Sequence, residues 1–199
     1  MRKILQGSIL VVIAYLVQGN ILPHFDVFSV TPNLFISVIA ISAVAYTKVL
    51  AFGVSALIGI LVESMLPTLP MLNVIFYPAF GFLASILFGD KSERRREEEI
   101  AAGKKGNNLS PHLRTILASV FLSTVFETVH LTYIYLAGAE MTAVLFLKGF
   151  WSIAYTLILT LVIMIPLRYA LGMYAAFKEK HFKNRKEKKE NVIQDSEFL

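Results

Sequence analysis

The chain has no cysteine. It therefore forms no disulfide, offers no thiolate to a metal and carries no cysteine nucleophile. Tryptophan occurs once, at Trp151, and only 17% of the residues are charged. No Gly-rich phosphate loop of the Walker type and no Gly-x-Ser-x-Gly elbow is written anywhere in it. The short alternating apolar and polar strands of a membrane barrel are missing too. Paired intramembrane carboxylates, or a Ser/His pair with partners, as an intramembrane protease needs, are also absent. His24, His112 and His181 stand apart without ligand spacing. These absences exclude the common catalytic classes and predict a protein that is not an enzyme and holds no cofactor.

What fills the chain is hydrophobic sequence: 56% of its 199 residues are apolar, and the mean hydropathy is +0.63. Six apolar runs stand out, at residues 4–22, 32–47, 49–66, from after Pro70 to 89, 114–138 and 142–168. A spanning helix needs about 20 apolar residues, and irregular backbone cannot face lipid, so the expectation is an all-α polytopic membrane protein with six transmembrane helices. Threading these runs from an inside N-terminus puts every one of the 19 Lys and Arg residues except Lys148 on the same side. That is the positive-inside pattern, with both termini cytoplasmic in a bacterial-type plasma membrane. The first run follows Arg2 and Lys3 but is long and lacks an A-x-A-like site, so it reads as an uncleaved first helix. Residues 1–177 form the expected membrane domain, with a cytoplasmic loop at 90–113. Residues 178–199 form a charged tail expected to be disordered. The net charge of +5 gathers in the cytoplasmic segments, which favours anionic lipid headgroups over nucleic acid as a partner.

Local signals set the expected boundaries. Thr31 with Pro32 reads as a cap and first helical residue. Pro67 to Pro70 makes an outer turn, Pro78 kinks the fourth helix and Pro166 interrupts the sixth.

Polar groups inside a span are costly and need a reason. The candidates are Gln18, Asn20, Glu63, Asn73, Glu127, His130 and Lys148. Glu127 and His130 lie three apart and share a helix face. A di-metal bundle uses that Glu-x-x-His element twice, and it occurs here once, so no metal is expected. The bland reading is an interhelical hydrogen-bonded pair closed by Lys148, and the sharper one is a proton relay. Glu63 reads as a structural carboxylate paired with a helix terminus or a lysine. Two rows of small residues at four-residue spacing, Ala51, Ser55, Gly59 and Gly81, Ser85, Gly89, allow close helix approach. They serve either packing inside the chain or docking of another membrane protein.

The segment from Thr31 to Gly89 resembles the rod shape-determining protein MreD family. Its second helix opens on Pro and a polar residue before a run of aliphatics, as in Pro32-Asn33-Leu34-Phe35-Ile36. Its third ends in a Gly-x-x-x-Asp-like element, with Glu in the acidic place in Gly59-Ile60-Leu61-Val62-Glu63. The Gly- and Ala-containing run at 77–87 and an acidic residue in the fifth helix, here Glu127, are also MreD-like. The chain departs from the family where small residues usually follow the acidic position, since Met65, Leu66 and Pro67 stand there. The resemblance implies a non-enzymatic scaffold of the bacterial cell-elongation machinery. Its partner would be an MreC-like bitopic membrane protein and, through that, MreB-like filaments and the RodA/penicillin-binding protein pair. It also implies a packing like the substrate-binding S component of energy-coupling-factor vitamin transporters, and such a component is the alternative function. The Ala-x-x-x-Ala docking pattern of many S components is lacking, since Gln18 follows Ala14 at the fourth place.

Overall fold

The computed structural model describes residues 2–27, 29–65, 72–89 and 109–170. The expected outer turn at 67–70, most of the 90–113 loop and the tail at 178–199 lie outside the described residues. Contacts divide the chain into two units, Met1–Met164 and Ile165–Leu199. The second is described only through residue 170, where it is helical.

Among the described residues the structure is all helical. The α-helices are α1 (Arg2–Asn20), α2 (Leu34–Ala45), α3 (Lys48–Met65), α4 (Leu72–Leu87), α5 (Pro111–Leu136) and α6 (Ala143–Ala170). A 3-10 turn at Leu22–His24 follows α1, and paired hydrogen bonds between Val27 and Val30, 3.1 and 3.0 Å, close a tight reverse turn before α2. Three apolar stretches are long enough to cross a membrane: Ile4–His24, Pro111–Leu136 and Ala143–Tyr169. Their outward faces remain apolar, as Val12, Leu16, Val162 and Ile165 illustrate, each more than half exposed.

The second expected span is different. Helix α2 has 12 residues, about 18 Å at 1.5 Å per residue, far short of a ~30 Å hydrocarbon core. All of it except Ala45 is buried. A helix apolar all round belongs inside other protein, and α2 is packed by α1, α3, α4 and α5. Helix α4 is also short for a span, at 16 residues. Among the described residues three helices are thus long and apolar enough to cross a membrane, and α2 and α4 are shorter apolar helices.

Three boundary expectations change. The cap of α2 is Asn33, whose side chain accepts from the Ile36 N–H, and not Thr31. Pro166 lies inside α6 and does not interrupt it. Helix α5 begins three residues earlier than the apolar run, because Ser110 caps it through the Leu113 N–H and Pro111 takes the first turn, where no N–H is needed. At its other end Gly138 adopts φ +87°. Gly138 N–H bonds the Tyr135 carbonyl and Ala139 N–H the Ile134 carbonyl, which closes the helix in a left-handed cap open to glycine at little cost.

Helices α3 and α4 make the most extensive pairing, and the two small-residue rows are the reason. A Cβ added at Gly81 would lie 2.6 Å from Ser55 Cβ and 3.1 Å from the Ala51 carbonyl oxygen. One added at Gly59 would lie 2.7 Å from the Asn73 carbonyl oxygen and 3.3 Å from Tyr77 Cβ. Ala51, Ser55 and Ser85 are buried. A Cβ added at Gly89 would lie 3.4 Å from the Ala43 carbonyl oxygen of α2. Both rows face inward, against each other and α2.

Candidate functional site

The polar centre of the molecule is the start of α2. Its N-terminus lies beside Thr156, about 20 Å along α6 from that helix's first residue. Backbone N–H groups at a helix start lack partners within the helix, and in hydrocarbon each unsatisfied one costs several kcal/mol. Here side chains from three helices satisfy them. The Asn33 N–H donates to Thr156 Oγ1 at 3.0 Å. The Leu34 N–H donates to Gln18 Oε1 of α1 at 2.7 Å. The Ile36 N–H donates to Asn33 Oδ1 at 3.2 Å. Gln18 Nε2 in turn donates to the Pro32 carbonyl at 3.3 Å. Tyr77 of α4, its ring fully enclosed, is in hydrogen-bonding reach of the Asn33 side chain. The Pro32-Asn33 pair thus joins α1, α2, α4 and α6.

From this junction a chain of hydroxyls runs along α6. Thr160 Oγ1 donates to Ser37 Oγ at 2.8 Å and lies 2.8 Å from Ser119 Oγ of α5. Ser37 Oγ lies 3.5 Å from the Thr156 carbonyl oxygen. Ser37, Ser119, Thr156 and Thr160 are all buried. One column on α5 (Thr115, Ser119, Ser123, Glu127) and one on α6 (Ser152, Thr156, Thr160) recur at four-residue spacing and meet antiparallel, with Glu127 accepting a hydrogen bond from Ser152 at one end. Ser123 Oγ is buried in the column with no hydrogen-bond partner among the described residues. Interhelical hydroxyl bonds in membranes contribute about 0.6 kcal/mol each. Sequence reasoning singled out Gln18, Glu127 and Asn33 but missed Ser37, Ser119, Thr156 and Thr160. The i, i+4 repetition of hydroxyl residues was the readable signal.

The other candidates fall in two places. Glu63 and Asn73 come together: Glu63 Oε2 accepts from the Asn73 N–H at 3.2 Å, at the first turn of α4. A carboxylate at a helix N-terminus satisfies a free N–H and opposes the helix dipole. Replacing it with Leu is expected to cost about 1 kcal/mol, while Glu63→Gln keeps the acceptor oxygen and most of the stability. Thermal denaturation of the two variants in detergent checks this. Two equal melting temperatures would reduce Glu63 to a passive position.

Glu127 and His130 share α5, but the partner of Glu127 is Ser152 and not Lys148. His130 is exposed and edge-on to Phe126, ring centroids 6.2 Å apart. Lys148 is exposed and makes no ion pair among the described residues. The interhelical hydrogen bond of Glu127 is thus made with Ser152, with His130 in electrostatic reach of the carboxylate and Lys148 not closing the pair. Among the described residues no group of three His, Cys, Asp or Glu side chains is placed to hold a metal ion. Asn20 bonds back to the Leu16 carbonyl of its own helix at 3.0 Å and faces outward.

Fold and site define a helical protein whose buried polar side chains hold helix ends and helix pairs together. No family model, no curated protein and no solved structure matches the chain.

Proposed function

We propose that this protein is a non-enzymatic integral membrane scaffold of the bacterial cell-elongation machinery, similar to MreD. It crosses the plasma membrane with its termini in the cytoplasm and binds an MreC-like bitopic partner, linking it to MreB-like filaments and the RodA/penicillin-binding protein pair. The observation that carries this reading is the position of Pro32-Asn33. This dipeptide, one of the motifs that carry the resemblance, is also the junction of four helices. The polar groups of that junction, and Glu63, are engaged with helix ends. Such a molecule acts through its outer surface. That use of polar groups also weighs against the S-component alternative, which needs polar side chains turned toward a ligand.

The test is affinity purification of the tagged protein from gently solubilised membranes. An MreC-like single-pass protein is expected to co-purify, and depletion of the chain is expected to turn rods into spheres. Tight binding of a vitamin-sized ligand with no bitopic partner would replace the scaffold by the transporter component.

Orientation has its own test, since a cysteine-free chain takes single-cysteine labels without background. Cysteines replacing Asp26 and Glu140 are expected to react from outside the cell, and those replacing Lys48 and Gly103 only after permeabilisation. Outside labelling at 103 would overturn the topology, because Lys91, Arg94, Arg95, Arg96, Lys104 and Lys105 surround that position.

A further inference from the structure

We infer that the interface of α5 and α6 holds one buried water molecule between Ser123 and Thr156, which ties α5 into the junction at the start of α2. The antiparallel pair has two hydrogen-bonded rungs between its polar columns: Glu127 with Ser152, and Ser119 with Thr160 at 2.8 Å. The rungs are eight residues apart on each helix, so the positions midway between them, Ser123 on α5 and Thr156 on α6, fall opposite each other. Both are enclosed, with 2% of Ser123 and 1% of Thr156 exposed. Yet this middle pair makes no direct bond. Ser123 Oγ has no hydrogen-bond partner among the described residues, and Thr156 Oγ1 is turned to α2, where it accepts from the Asn33 N–H at 3.0 Å.

Reach and charge identify what joins them. At one rung a serine touches a threonine directly, whereas at the other a glutamate spans the interval to a serine. The helices therefore separate toward Glu127, and two short hydroxyl side chains at the middle rung face a gap wider than one hydrogen bond. A buried hydroxyl without a partner is rare, and bound water is the usual bridge where polar atoms converge on such a gap. The converging atoms are Ser123 Oγ and Thr156 Oγ1, a hydroxyl that can donate while it accepts from Asn33. The occupant is neutral, because the two oxygens of Glu127 lie elsewhere, one bonded to Ser152 and the other beside Gly149, still further along α6 from Thr156. Through Thr156 the water links α5 to the helix end already shared by α1, α2, α4 and α6. The site does not depend on the elongation reading.

Thermal melts of the full chain in detergent test this by the sign of one change. Ser123→Ala is expected to melt about 2–4 °C below the parent, because the water loses a partner. An unpaired hydroxyl gives the opposite sign, since alanine then removes a buried unsatisfied group. An equal or higher melting temperature therefore overturns the site. The loss is expected to shrink when Thr156 is already valine, and equal losses in the two backgrounds would show that Ser123 and Thr156 share no partner. Ser123→Asn separates a water from a direct bond between the two hydroxyls. Its longer amide takes the place of the water and is expected to recover most of what alanine loses. A Ser123→Asn protein less stable than Ser123→Ala would show that there is no room for a water and overturn the bridge.

Discussion

Gly81→Leu is expected to destabilise the protein strongly, with a loss of about 3 kcal/mol or more. A single Cβ at this position already falls 2.6 Å from Ser55 Cβ and 3.1 Å from the Ala51 carbonyl oxygen, so the larger side chain has no rotamer that avoids α3. One obstacle is backbone, which cannot swing aside as a side chain can. Association of membrane helices depends on such close packing, because lipid is as apolar as the helices themselves. For a chain of this size the loss corresponds to a melting point lower by about 6–12 °C, read in detergent by differential scanning fluorimetry. Gly81→Ala is expected to destabilise less, and Ser55→Gly in the same chain to restore part of the loss by removing the Ser55 side chain. A Gly81→Leu protein that melts like the parent would mean that α3 and α4 do not pack as described.

Gln18→Leu and Asn20→Leu are expected to differ sharply, although both replace an amide near the end of α1. Gln18 holds two backbone groups of another segment, the Leu34 N–H and the Pro32 carbonyl. Leucine leaves both without that partner, at a cost of about 1–3 kcal/mol for an unsatisfied group shielded from water. Asn20 bonds only to its own helix from an exposed position, so its replacement is expected to change stability by less than about 0.5 kcal/mol. Thermal melts of the two single variants decide the matter. Equal melting temperatures would show that the start of α2 does not need α1. Thr156→Val probes the same junction from α6, since it removes the acceptor of the Asn33 N–H and nearly preserves shape.

The small-residue rows illustrate how much of this was legible. Their four-residue spacing placed Ala51, Ser55, Gly59 and Gly81, Ser85, Gly89 on single helix faces, but spacing along one helix carries no record of what lies across from it. Only the contact of Gly81 with Ser55 assigns the rows to each other. Lys148 shows the same limit. Its expected depth, matching that of His130, suggested that it closes the Glu127–His130 pair, yet Ser152, one turn further along α6, bonds Glu127.

Composition and periodicity by themselves determined the class of structure: apolar runs free of charge become helices, because the backbone must bond within itself where water is absent. Tertiary structure alone decided that α2, 12 residues long, is enclosed by other helices. A run of aliphatic residues reads the same whether lipid or protein surrounds it, so hydropathy cannot separate the two. The α2 start needed partners from outside its own helix, and Gln18, Asn33 and Thr156 became a site because folding brought residues from α1 and α6 to that one end.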